Sequence, residues 1–102
     1  MKNSILYTQK TLQRAGIPIF LITTGSHRAC INNLRTAVCF AMAYELDQPQ
    51  MHIASLLNIK QPSVSNNLKR HYRLYNYDPD YTEIYDTTLL SLKKANLIPT
   101  EH

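Results

Sequence analysis

Between residues 27 and 46 the apolar side chains fall at helical spacing and almost encircle the chain. Ile31, Leu34, Val38, Ala41 and Met42, with the charged Glu45 closing the series, follow one another at intervals of 3, 4, 3, 1 and 3, and Ala37, Phe40 and Tyr44 add a second stripe. A helix that is apolar over most of its girth belongs at the centre of its domain, because no single face can be left to water. The sequence therefore predicts an all-α fold built around one buried helix. Thr23-Thr24-Gly25-Ser26 reads as the loop before it, with Ser26 as N-cap, and Asp47-Gln48-Pro49 as its stop. The 102 residues fit a single domain spanning 1–102, with 44% apolar residues, enough to close a core without metal or disulfide staples.

The flanking segments read as further helices, making a compact bundle of about five. Ile5, Leu6, Gln9 and Leu12 follow helical spacing over residues 5–15, and Gly16 ends that element. Residues 17–22, Ile-Pro-Ile-Phe-Leu-Ile, suit either a strand, by their branched side chains, or a buried helical turn with Pro18 near its start. A lone strand would find no partner in this chain, which favours the turn. A short helix is expected from Gln50 to Leu57, with Ile53, Ala54 and Leu57 inside. The next runs from Gln61 or Pro62 to about Leu74, with Val64, Leu68, Tyr72 and Tyr75 inside. Asp78 caps a last helix with Pro79 at its first position; Tyr81, Ile84, Tyr85, Thr88, Leu89 and Leu92 face its core, and Lys93 and Lys94 suit its C-terminal dipole.

The net charge of +4 is unevenly spread. Residues 1–44 carry Lys2, Lys10, Arg14, Arg28 and Arg35, and residues 48–77 carry Lys60, Lys69, Arg70 and Arg73; neither stretch has a carboxylate. Acid gathers at Asp78, Asp80, Glu83 and Asp86. Such segregation gives an electropositive side suited to a polyanion, although basic surface also serves solubility.

The segment from Gln50 to Arg73 converts that charge into a site. Two short helices joined at Asn58 form a helix-turn-helix in which each fixed position has a reason. Ala54 must be small where the second helix crosses, Asn58 turns the chain where glycine is usual, Ile59 fills the corner, and Val64 and Leu68 anchor the second helix. The opposite face then carries Gln61, Pro62, Ser65, Asn66, Lys69 and Arg73. Amides of Gln61 and Asn66 match the adenine edge in the major groove, and Lys69 reaches guanine or phosphate. Ser63, Ser65 and the amides of the helix N-terminus suit phosphate oxygens. Lys60, Arg70 and Arg73, with Arg28 before the central helix, complete the DNA-contact set expected from the sequence. A helical hairpin with a merely solvated polar face is the simpler alternative.

The stretch Ile53 to Arg70 resembles the helix-turn-helix of many bacterial repressors, with Ile59-Lys60-Gln61-Pro62-Ser63-Val64-Ser65 opening the recognition helix. More broadly, the chain resembles the C-terminal DNA-binding domain of the chromosomal replication initiator DnaA, of the Trp-repressor-like class. The parallels are Gln9-Lys10-Thr11, Phe40-Ala41-Met42-Ala43-Tyr44-Glu45-Leu46, Val64, and the last helix from Asp78 to Lys94. The resemblance implies an all-helical domain, phosphate contacts from a basic loop near Arg28 and base contacts from the start of the recognition helix. There Lys60-Gln61-Pro62-Ser63 stands where that family has an acidic residue, His and hydroxyl residues, so its DNA-box specificity does not carry over.

Other chemistries find less support. His27 and Cys30 are three residues apart, but two ligands are not a metal site; the histidines His27, His52, His71 and His102 read as solvated or helix-capping. Cys30 and Cys39, nine residues apart, lie on opposite helical faces and read as buried, unpaired thiols of a cytosolic protein. No nucleophile elbow or glycine-rich loop is present. Tyr72, Tyr75, Tyr81 and Tyr85 lie at core spacing, so packing outweighs base stacking as their role. Neither a signal peptide nor a membrane span is visible. The expectation is a cytoplasmic, non-enzymatic protein without cofactor that binds double-stranded DNA as a transcriptional regulator or replication accessory, with a homodimer left open. The rivals are a protein-interaction module on the same scaffold and a DNA-binding module related to mobile elements.

Overall fold

The computed structural model describes residues 2–24 and 28–99. Over them the chain forms six helices and no strand: α1 (Lys2–Arg14), α2 (Ile19–Ile22), α3 (Ala29–Tyr44), α4 (Gln50–Leu57), α5 (Gln61–Leu74) and α6 (Pro79–Lys94). The ambiguous segment 17–22 is the helical turn, and as α2 it becomes the sixth helix. The proposed Ser26 cap lies outside the described residues.

α3 is the axis of the bundle, and α2, α4, α5 and α6 all pack on it. Its nearly continuous apolar girth explains this. Ile31, Ala37, Val38, Cys39, Ala41 and Met42 are all buried, and small residues at 37 and 41 let neighbours approach closely. α1 reaches the bundle through α2 and α4, where the Gln9 amide Nε2 donates to the Leu56 carbonyl at 2.8 Å. A Cα radius of gyration of 12.6 Å agrees with the roughly 13 Å expected of a compact chain near this length. Among the described residues no helix is long and apolar enough to cross a membrane.

The helix ends follow the local chemistry of the sequence. Gly16 closes α1 at φ +98°, a conformation that side chains resist. Asp78 caps α6 by accepting from the Tyr81 amide at 3.1 Å, with Pro79 in the first turn. The α2 carbonyl of Ile22 is satisfied by a side chain: buried Arg35 donates to it from Nε at 3.2 Å and from Nη2 at 3.0 Å. Burial lowers the pKa of Arg35 from its ordinary value, yet a guanidinium remains charged.

Three expectations about side chains are corrected. Tyr72, expected inside, is 61% exposed, and its place is taken by His71, expected to be solvated or capping but only 4% exposed. The reason is angular. At about 100° per residue, position 71 lies roughly 20° from Val64 around the helix, whereas position 72 lies roughly 80° away. Cys30, expected buried, is exposed in the first turn of α3. Cys39 is buried, its thiol 3.7 Å from the Val64 carbonyl, and burial pushes its pKa up to about 12.

His71 sits in an aromatic cluster. Its ring stacks on Phe40 at 3.5 Å between centroids and on Tyr75 at 5.1 Å, and its Nδ1 shares a 2.7 Å hydrogen bond with the Tyr81 hydroxyl. Burial drives the imidazole pKa down to about 4. The tyrosines Tyr81 and Tyr85 are buried here as the sequence suggests, and burial raises their pKa values.

Candidate nucleic-acid interface

The pair α4–α5 is held at its corner by backbone geometry. Asn58 takes the left-handed conformation, φ 57° and ψ 47°. Its amide turns back to the Ser55 carbonyl, while the Ile59 amide reaches the Ala54 carbonyl at 3.0 Å. This is the paired bonding of a Schellman C-terminus, and Ile59 follows it into the edge of the core. Ala54 is 8% exposed. The turn is thus three residues, 58–60, between helices that pack on each other.

α5 starts without a side-chain cap. Lys60 has extended dihedrals and no capping hydrogen bond, and Pro62 occupies the first turn. The Ser63 and Val64 amides both bond to the Lys60 carbonyl, at 2.9 and 3.3 Å. Pro62 has no N–H, so the first turn keeps few amides for an anion. The phosphate-binding helix terminus expected from the sequence is therefore reduced mainly to the Gln61 amide.

Beyond this start, α5 is strongly two-sided. Val64 and His71 are buried, and Leu68 packs half-buried against the core. On the far side Pro62, Asn66, Lys69 and Arg73 fall within a stripe roughly 60° wide, at about 100° per residue. All four are exposed, as are Lys60 and Gln61, while Ser65 is half-exposed. The side chains of Lys60, Gln61, Ser65, Asn66, Lys69 and Arg73 make no hydrogen bond or ion pair among the described residues. From Pro62 to Arg73 the stripe runs about 16 Å along the helix at 1.5 Å per residue.

Arg70 and Ser63 lie on the flank of α5 rather than on this stripe. Arg70 is half-buried and turned to α3. Its Nη1 donates to the Asn32 carbonyl at 3.3 Å and to the Thr36 hydroxyl at 2.8 Å, and Nη2 donates to Asn33 Oδ1 at 2.8 Å. Thr36 in turn donates to Asn67 Oδ1 at 2.6 Å, and Asn67 Nδ2 donates to the Ser63 carbonyl at 2.8 Å. This network fixes the rotation of α5 about its axis, and with it the direction of the exposed stripe. Apolar periodicity and charge do not single out Asn32, Asn33, Thr36 and Asn67 in the sequence. The polar row Ser63-Asn67-Arg70, at spacings of 4 and 3, was the available signal.

Arg28 is exposed at the N-cap of α3, and its carbonyl accepts from the Asn32 amide at 2.8 Å. It therefore stands about one turn before Asn32, one of the residues that hold Arg70. The carboxylates Asp80, Glu83 and Asp86 are exposed on α6, which packs on α3. Among the described residues no group of three or more His, Cys, Asp or Glu could hold a metal ion. No family model, curated protein or solved structure matches the chain.

Proposed function

We propose that this protein binds double-stranded DNA by laying α5 in the major groove, as a transcriptional regulator or a replication accessory. The observation that carries the reading is the α5 stripe, in which Asn66, Lys69 and Arg73, with Gln61 at the helix start, have no side-chain partner among the described residues, on a helix whose other side is locked to the core. Leaving such groups unpaired has no cost in water, and a bound duplex would engage them in one step. The acid-free stretches 1–44 and 48–77 keep repulsive charge away from the same side. Likeness to the initiator's DNA-binding domain in the segments quoted above points the same way.

In this reading Gln61 and Asn66, near the start of α5, meet base edges, Lys69 and Arg73 meet phosphates further along, and Arg28 approaches a flanking phosphate. Arg70, already bonded to α3, positions the helix. The test is duplex affinity across a salt titration. Phosphate contacts give a slope of log affinity on log salt near −0.9 per contact. A flat slope, or no duplex binding at low salt, refutes the proposal and turns attention to a protein partner for the same face.

A further inference from the structure

Two guanidinium groups converge on one asparagine beside the start of α5. Arg35 donates from Nη1 to Asn32 Oδ1 at 2.8 Å, and Arg70 donates from Nη1 to the Asn32 carbonyl at 3.3 Å. Both arginines line a half-open concavity of about 330 Å³, together with Asn32, Asn58, Ser63 and Asn67. No carboxylate lines it among the described residues, which all come from the two acid-free stretches. Arg35 is only 8% exposed and Arg70 half-buried, so water screens their mutual repulsion poorly.

The donors that Arg70 has to spare point to the kind of ligand the concavity suits. A guanidinium has five N–H groups. Arg70 uses two on Nη1 and one on Nη2 for protein acceptors, which leaves Nε–H and one Nη2–H with none among the described residues. The Ser63 hydroxyl, at the same rim, also has no partner there. Charged donors on a planar fork, a hydroxyl lining the same concavity and no carboxylate among its described lining match a tetrahedral oxyanion. The volume lies at the low end of the roughly 300–1,000 Å³ of small-molecule sites, room for a phosphate on a small body or on a strand passing the rim.

We propose that this concavity is an oxyanion site that takes a phosphate group, carried by the DNA backbone or by a small phosphorylated molecule. It stands without the DNA reading, because the convergence of Arg35 and Arg70 exists in the protein alone.

The experiment is an NMR titration of the full chain with inorganic phosphate against chloride at constant ionic strength, following the Arg70 Nε–H and Ser63 amide signals. A saturable shift at both is expected, with Lys93 and Lys94 unmoved. Arg70→Lys keeps the charge and loses the fork, and should weaken the interaction about tenfold, as the loss of one charge-assisted bond requires. Duplex DNA is then added. If DNA shifts Arg70 Nε–H and raises the phosphate concentration needed, the bound group is a backbone phosphate. If phosphate saturates the site and DNA leaves it unaffected, the ligand is a small phosphorylated molecule. If DNA does not bind at all, the DNA reading fails while a phosphate shift still upholds the site. If neither probe moves Arg70 Nε–H, the site does not exist.

Discussion

Acidification should destabilise this fold through His71, and the structure sets the size of the effect. The ring is 4% exposed, lies against Phe40 and Tyr75, and shares its Nδ1 hydrogen bond with Tyr81, itself fully buried. Burial lowers its pKa from 6.5 to about 4. A histidine depressed in the folded state binds its proton more weakly there than in the unfolded chain. Above pH 6.5 both states are neutral at this position and stability is complete. As the pH falls from 6.5 toward 4, the unfolded chain takes up a proton that the folded one refuses, and stability drops by up to about 1.4 kcal/mol per pH unit. By pH 4.5 the accumulated loss is about 2–3 kcal/mol, a large share of the roughly 5–15 kcal/mol typical of a domain. The assay is urea unfolding at pH 7 and pH 4.5 for the natural protein and His71→Gln, so that the carboxylates common to both cancel. The variant should be weaker at pH 7 and lose less on acidification. Parallel losses in the two proteins, or a His71 signal titrating near pH 6.5 in the folded state, would refute the argument.

Two further predictions rest on α4 and α5. Ala54→Glu places a charge with no partner where 8% of the residue is exposed, at a cost of several kcal/mol by order of magnitude; an unchanged melting temperature would show that the corner is open rather than packed. Asn66→Ala should lower discrimination between matched and scrambled duplexes by about 1–3 kcal/mol, whereas Arg73→Ala should weaken both equally and reduce the salt slope by about one unit. The opposite pattern would invert the roles assigned along the helix.

What the sequence made legible was whatever depends on one helix at a time. The girth of α3, the Asp78–Pro79 start of α6, the left-handed Asn58 and the buried Ala54 each follow from spacing or local backbone chemistry, and each is found. What it obscured depends on which neighbour a face meets. The i, i+4 row from Val64 and Leu68 leads to Tyr72, but that row drifts about 40° per step around a helix. Two steps carry it off the face, and the buried position falls to the polar-looking His71. A histidine is tolerated there because Tyr81 supplies the partner for Nδ1, and Tyr81 comes from α6, ten residues on. No periodicity within α5 contains that information.

The same dependence on a neighbour separates the arginines of α5. Arg70 and Arg73 are one short turn apart and carry the same charge. Around the helix they differ by about 60°, enough to put Arg70 over the α3 acceptors Asn32, Asn33 and Thr36 and to leave Arg73 in the exposed stripe. Holding Arg70 in this way gives the exposed stripe of α5 its rigidity. Each of its bonds spans 34 to 38 residues of sequence, joining the first half of α3 to the second half of α5. A rotation of α5 that swung Asn66 out of its exposed position would have to break them. On this argument loss of Arg70 blurs base discrimination without removing a base contact, while loss of Arg73 removes a contact and leaves discrimination intact.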